Sequence, residues 1–421
     1  MILWCCVSLA GVATGQTVRT WTSNSDLRWS LNANWSGNNR PDANNEIAAF
    51  GSGLQLNPRL NANNYTVRGI RFLAGASGYD VADDNGSRTL KIGNGTAGFI
   101  ENLSTSDQVI SIATLQFQSA ATVTTADTAR LTISSSLTGT NRNLTFDATG
   151  NISVSGSIAT GSGTLTKIGA GDLNLSGTNT YTGTTVISAG AIVLGASSVF
   201  ANNAVITVAA GASLRLNDLS DTIGRISGAG EIDFGAGGTG QLTLASGTSS
   251  FAGTFTGSGE LVIGTGATLT LGADFANSGI NVTLAGGTLN LAGHTLTLGA
   301  LTISGSSTID FGSATNSTLS VGSLAFTSSG FGLSVQNWVN AADYFYSQAG
   351  YAQNAAPLNQ VQFAGWGPAD TKWQSYDNQV TPVTESGAYG GWLVAMTVVA
   401  VGVRRVIGRD GGAPIRRCHG A

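Results

Sequence analysis

The chain has 421 residues, of which 59 are glycine and only 10% are charged, with a formal net charge of −4. Glycine stands at about twice its ordinary usage and charge at well under half. There is no triplet glycine period, which excludes collagen, and 42% hydrophobic residues in periodic runs exclude a disordered chain.

No basic block occurs between the ends, so nucleic acid is not an expected partner. The cysteines are Cys5, Cys6 and Cys418, which leaves the body without a disulfide framework or a cysteine metal site. The chain opens on an apolar run, Ile2 to Ala13, followed by Thr14-Gly15. This predicts a signal peptide over 1–15, cut before Gln16 and too short to span a bilayer. Residues 16–60 carry Trp21, Trp29 and Trp35 among Asn and Ser. Such rings can stack on sugars, but the expected role is a cap over the open end of a repeat stack.

From 61 to 334 the chain is one short strand after another, as in Tyr65-Thr-Val67, Thr89-Leu-Lys-Ile92 and Leu144-Thr-Phe146. The clearest stretch is 163–195. It holds the alternating runs Leu165-Thr-Lys167-Ile168, Leu173-Asn-Leu175 and Ile192-Val-Leu194, each fenced by glycine or Asn-Thr. Alternation puts one set of side chains on one face, and glycine supplies corners with positive φ. Strands this short cannot bury a face alone and must stack on copies. Equivalent runs open at Leu173, Ile192, Leu214 and Ile232, at Leu242 and Leu261, and at Leu269, Leu289 and Ile309. The step is about 20 residues, the length of one β-helix coil. Gly240 to Gly272 reads as a degraded second copy, with Phe251 in place of Tyr181. The expected fold is all-β, a parallel β-helix (solenoid) with capping segments and a C-terminal hydrophobic helix.

Residues 335–381 are expected to form the second cap, with helical apolar spacing over Asn337 to Tyr346 at Trp338, Ala341, Ala342 and Phe345. Residues 382–388 form a polar linker with Pro382 and Glu385. Residues 389–405 are uncharged up to Arg404 and Arg405 and read as a transmembrane-like helix. The arginines place the tail, 406–421, in the cytoplasm.

The stretch Gly163, Leu165, Lys167, Gly169, Gly171, Leu173, Leu175, Gly177, Asn179, Tyr181, Gly183 and Thr185 closely resembles the autotransporter-associated β-strand repeat. Asn34-Trp35-Ser36-Gly37 resembles the start of bacterial proteins carrying that repeat. The resemblance implies a right-handed parallel β-helix exported to the cell surface. The chain is expected to be passenger-like only, because the residues after Leu333 are too few for a translocating β-barrel. The tail resembles a degenerate PEP-CTERM sorting signal, with Pro382, Glu385, Arg404 and Arg405 as the signal residues. That implies a Gram-negative host, export machinery and exosortase as partners, and anchoring in the inner membrane through the C-terminal helix before release to the surface.

Chemistry is sparse. His294 is the one histidine of the body and lies in a turn with no carboxylate near it in sequence, so it is expected to be a lone surface residue. No nucleophile-elbow pattern accompanies it. Asp80, Asp83 and Asp84 form the densest carboxylate cluster and are the one candidate metal site, of a kind that suits Ca²⁺; Asp-Asp-Asn-Gly is preferred as a turn. Asp218 and Asp221 read as loop residues. Gly163, Lys167, Gly171, Gly177, Asn179, Tyr181 and Gly183 read as coil and turn residues rather than a site. No catalytic residue and no cofactor are expected. The expected function is that of an exported, non-enzymatic surface or matrix protein, structural or adhesive, associating with polysaccharide. The alternative is a polysaccharide lyase or hydrolase on the same fold.

Overall fold

A computed structural model describes residues 15–382, except 54, 63, 64, 94, 127, 314, 315, 368 and 369. The leader up to residue 14, Glu385, Arg404, Arg405 and the expected C-terminal helix lie outside the described residues. Glycine-fenced alternating runs coil the chain into a parallel β-solenoid. Sheet 1 has 16 strands, from Thr17–Thr20 to Val361–Phe363. Sheet 2 has 10, from Arg59–Leu60 to Thr254–Thr256. The third side comes in two pieces. A 5-stranded sheet runs from Tyr65–Val67 to Ile158–Ala159, and a 10-stranded one starts at Ser220–Ile223 and ends in the antiparallel hairpin of Lys372–Gln374 with Gln379–Thr381.

Coils stack in register. Leu173 lies against Ile192, Ile192 against Leu214, and Leu214 against Ile232. Leu242 faces Leu261, and Leu269, Leu289 and Ile309 follow one another. These are the equivalences expected from spacing. The second-copy reading is corrected in phase. Leu242 and Leu244 lie on the third side, whereas Leu165 and Lys167 lie in sheet 1. Phe251 is a sheet 1 residue opposite Leu271, while Tyr181 sits in a loop of the third side. Alternating runs look alike on every side of a coil, so sequence similarity alone does not fix the phase.

The cross-section changes along the axis. Up to about the middle, each coil has a strand on each of three sides. Between Ile158–Ala159 and Ser220–Ile223 the third side is built from loops, among the described residues. Towards the C-terminus, Thr295–Gly305 pairs with both Phe275–Asn277 and Ile280–Ala285. Two sides merge there, and later coils alternate between sheet 1 and one broad opposite sheet.

The interior is filled by Leu, Ile, Val and Phe in columns. Trp21, Trp29 and Trp35 are at most 2% exposed and pack edge to face, with Trp35 centroids 5.0 Å from Trp21 and 4.8 Å from Trp29. Their indole N–H groups donate to the carbonyls of Gln55, Pro41 and Trp29. They are core residues and cannot stack on a sugar. The helical reading of Asn337 to Tyr346 is also corrected. Tyr344–Ser347 is a strand in register with Thr318–Val321, and Asn337 and Ala341 have φ of 55° and 62°. The buried Asp343 carboxylate accepts from the Val339 and Ser317 N–H groups, which fixes a turn where a helix would run on.

Both ends of sheet 1 are closed. At the first strand, Thr20 N–H donates to the Ser36 hydroxyl and Thr22 N–H to the Asn34 carbonyl. At the last, Thr371 donates its hydroxyl to the Val361 carbonyl, and Trp366 N–H to the Phe363 carbonyl. An exposed edge would otherwise template pairing with another chain.

Glycine columns let coils approach closely. A Cβ on Gly177 would collide with the Gly156 carbonyl, and one on Gly156 with Ser135. Gly183 over Gly163, and Gly190 over Gly171, repeat the contact. Gly177→Ala is therefore expected to cost about 1–3 kcal/mol, read as a lower denaturation midpoint. Gly75→Ala, where a Cβ meets nothing within 4 Å, is expected to leave the midpoint unchanged. Equal midpoints for the two variants would refute close coil contact as the role of these glycines.

Candidate functional site

The residues of the 163–195 stretch sit at the place where the third side lacks strands. Leu165–Ile168 lies in sheet 1 and Asp172–Leu175 in sheet 2. The next corner carries Asn179 and Tyr181. Asn179 is buried, and its side-chain oxygen accepts from Ile158 N–H at 2.8 Å. Its own N–H donates to the Val199 carbonyl at 3.0 Å. Tyr181 is buried, with its hydroxyl 2.6 Å from that of Thr185. Burial pushes this phenol well above its ordinary pKa, and the Thr185 hydrogen bond only partly opposes the shift.

Lys167 is the unexpected member. It is 0% exposed and stands in a core column, directly between Phe146 and Ile187, with Val123 and Val208 beyond. Its ammonium donates to the carbonyls of Ile168 and Gly169 at 2.8 Å each and of Ala189 at 3.1 Å. Three acceptors match its three donors. Lys167 thus ties the corner of its own coil to the corner of the next. A Cβ on Gly190 would reach its Nζ, so the small residue at that corner makes room for the clamp. Burial pushes the lysine down to about 8, and the charges of Asp172 and Asp147 pull it partly back. The expected coil or turn residue is an inward strand residue of Leu165–Ile168, as the alternation Leu165, Lys167 implies.

Asp221 is not the loop residue expected: it lies in the strand Ser220–Ile223, paired with Leu242, and its side chain faces the preceding loop that carries Val199 and Phe200. Its buried carboxylate accepts from the N–H groups of Val199, Phe200 and Thr222 at 2.8–3.1 Å. Burial raises its pKa against these bonds. Asp218 accepts from Gly237 N–H at 2.7 Å. The candidate calcium cluster is spent internally. Asp80 takes a hydrogen bond from Ser111 and lies 3.6 Å from Arg59. Asp84 pairs with Arg88 at 2.9 Å. Asp83 accepts from the N–H groups of Gly86, Arg88 and Ala113. Burial works against its ionisation, and those bonds overcome it to lower the pKa. Asp83 to Gly86 is the turn that sequence preferred, with Gly86 at φ 71°. No group of three or more His, Cys, Asp or Glu side chains converges as a metal site among the described residues.

His294 is not alone. Its Nδ1 lies 3.2 Å from Asp274, one coil earlier, and the same carboxylate accepts from Thr295 N–H. Those two bonds lower the Asp274 pKa. Coil stacking brings together residues about 20 apart, a neighbourhood invisible to a search along the sequence. Pro382 is buried directly after the last strand, Gln379–Thr381. No helix among the described residues is long and apolar enough to cross a membrane.

Comparison with known proteins agrees with this geometry at one place. Residues 165–194 match the passenger-associated-transport-repeat family. The matched segment contains Lys167, Asn179 and Tyr181, and begins and ends on inward-facing leucines, Leu165 and Leu194. A parallel solenoid carrying this repeat is passenger-like, of the kind that is secreted or displayed at a surface. No curated protein and no solved structure matches the chain significantly.

The depressed pKa of Lys167 makes a signed prediction. In the unfolded chain the lysine titrates at 10.5, in the fold at about 8. Between those values the unfolded state binds more protons, so stability rises with pH across that window, by up to on the order of 3 kcal/mol. Denaturant unfolding at pH 7.5, 9 and 10.5 is expected to show this rise in the natural protein. Lys167→Met is expected to remove it while lowering stability at every pH, because three carbonyls lose their donor. A parallel pH dependence in both proteins would refute the buried clamp.

Proposed function

We propose that the chain is an exported, non-enzymatic β-solenoid that works as a structural or adhesive element at the cell surface or in the extracellular matrix. The observation that carries this reading is the unbroken stack of coils with a passenger-type repeat at its centre. A rod of this kind places distant ends on one stiff axis, with its strands bonded to their neighbours within the stack.

Its outer surface supports association with polysaccharide. Along sheet 1, Thr122, Thr145 and Thr166 follow one another on the outside, as do Thr207, Ser227, Ser250 and Thr270 further on. Hydroxyls repeated at strand spacing offer many weak hydrogen bonds to a hydroxyl-rich polymer, and multivalency strengthens them. On the same reading, residues 1–15 serve export. The tail with Pro382, Glu385, Arg404 and Arg405 serves sorting by exosortase and anchoring in the inner membrane.

Two measurements test the proposal. Incubated with the exopolysaccharide of its host, the full chain is expected to sediment with the polymer and to release neither new reducing ends nor unsaturated sugars. Release would establish the lyase or hydrolase alternative, and failure to sediment would remove the polysaccharide association. Mass spectrometry of the exported form is expected to find new ends near Gln16 and Glu385. An exported chain that keeps both natural ends would refute the assigned processing signals.

A further inference from the structure

The last three strands of sheet 1, Ser307–Asp310, Leu333–Gln336 and Val361–Phe363, floor an open cleft of about 540 Å³. Thr308, Ser334 and Gln362 form a row across it in direct register, spaced by about 4.8 Å as neighbouring parallel strands are. All three are at least partly exposed. One wall is the loop that carries Phe331. Gln360 fixes that loop by donating from Nε2 to the carbonyls of Ser328 and Phe331, at 2.8 Å each. Ser306 supports it from below, accepting from Gly332 N–H at 3.2 Å. The cleft is therefore held in shape by the protein's own bonds rather than waiting for a ligand to form it.

We infer that this cleft is a binding subsite for a neutral polysaccharide, an inference that rests on the proposed polysaccharide association and gives it a location. The lining chooses the ligand. Every lining residue is uncharged, so an acidic or basic ligand would lose hydration without gaining a counter-charge. A purely apolar ligand would strand the hydroxyls and amides of the floor. A neutral polyhydroxylated chain satisfies them in both directions, since hydroxyls and carboxamides donate and accept. Phe331 offers an apolar surface to the C–H side of a sugar ring. The floor row also continues out of the cleft. Thr248, Thr268, Thr288 and Thr308 succeed one another down sheet 1. A polymer leaving the cleft along the axis stays over hydroxyls, which favours a long glycan over a free monosaccharide.

The test is affinity electrophoresis of the full chain in gels containing soluble neutral glycans (laminarin, dextran or glucomannan), with polygalacturonate as the charged comparator. The natural protein is expected to be retarded by at least one neutral glycan at concentrations at least tenfold below any polygalacturonate effect. Ser334→Arg, which fills the floor with a charged side chain, is expected to weaken retardation at least tenfold. Gln362→Ala, a truncation at an exposed position that leaves the fold alone, is expected to weaken it severalfold. Thr302→Arg, on the opposite sheet, is expected to bind normally, and melting curves check that each variant is folded. Undiminished binding in folded Ser334→Arg and Gln362→Ala overturns the cleft while leaving polysaccharide association standing. A natural protein that no neutral glycan retards likewise overturns the cleft as a neutral-glycan subsite, while sedimentation with the host exopolysaccharide decides the wider association separately.

Discussion

The structure depends on one constraint: each coil must lie on the one before it at strand spacing, so that every strand carbonyl and N–H finds its partner in a neighbouring coil. Side chains then fall into columns whether or not they suit one another. Inward columns are almost entirely aliphatic or aromatic, and outward columns are dominated by Thr, Ser and Asn. The glycines belong to the same constraint. Where Gly177 passes Gly156, or Gly183 passes Gly163, any side chain would hold the coils apart. The low charge of the chain also follows, because a charge repeated in register would face its like at every coil.

Corners are where the constraint is hardest to meet, since the backbone leaves the sheet and its polar groups still face the interior. The chain meets this need with buried polar side chains. Asn102 and Gln108 bond to Ser104, Ser106 and the Tyr79 N–H around one corner. Asn179, Asp221 and Asp343 do the same at others. Lys167 is the reverse case, a donor serving orphaned carbonyls. Lys167 and Asn179 lie in the segment where the third side has no strands, and there they supply bonding between coils that a sheet supplies elsewhere. The match to a known repeat in this same segment has a physical counterpart: specific side chains there, Lys167 and Asn179, bond successive coils in addition to the general alternation.

Much of this was readable from spacing. Leu173, Ile192, Leu214 and Ile232 were equivalent in sequence and are in register, because period 2 within strands and a coil of about 20 residues are both set by backbone geometry. What failed were matters of phase and of partnership. Gly240 to Gly272 matches the repeat one side out of step, since nothing in an alternating run names its sheet. Asn337 to Tyr346 carries helical spacing, yet Asp343 caps a turn and Tyr344 joins a ladder whose other half lies 26 residues away. Asp274 and His294 meet only through stacking. Lys167 was visible by parity, but an inward lysine is costly unless its acceptors are known, and they come from two different coils.

The passage from three sides to two carries a mechanical consequence. A three-sided prism resists bending about equally in every direction. Where Thr295–Gly305 spans what had been two sides, the section becomes a flattened slab with a thin direction. Lateral load on the rod is then relieved by flexing of the C-terminal third across that thin direction, while the prism ahead of it stays straight. The molecule is in effect a stiff beam ending in a leaf spring, and the two broad faces of that spring are the last strands of sheet 1 and the sheet opposite.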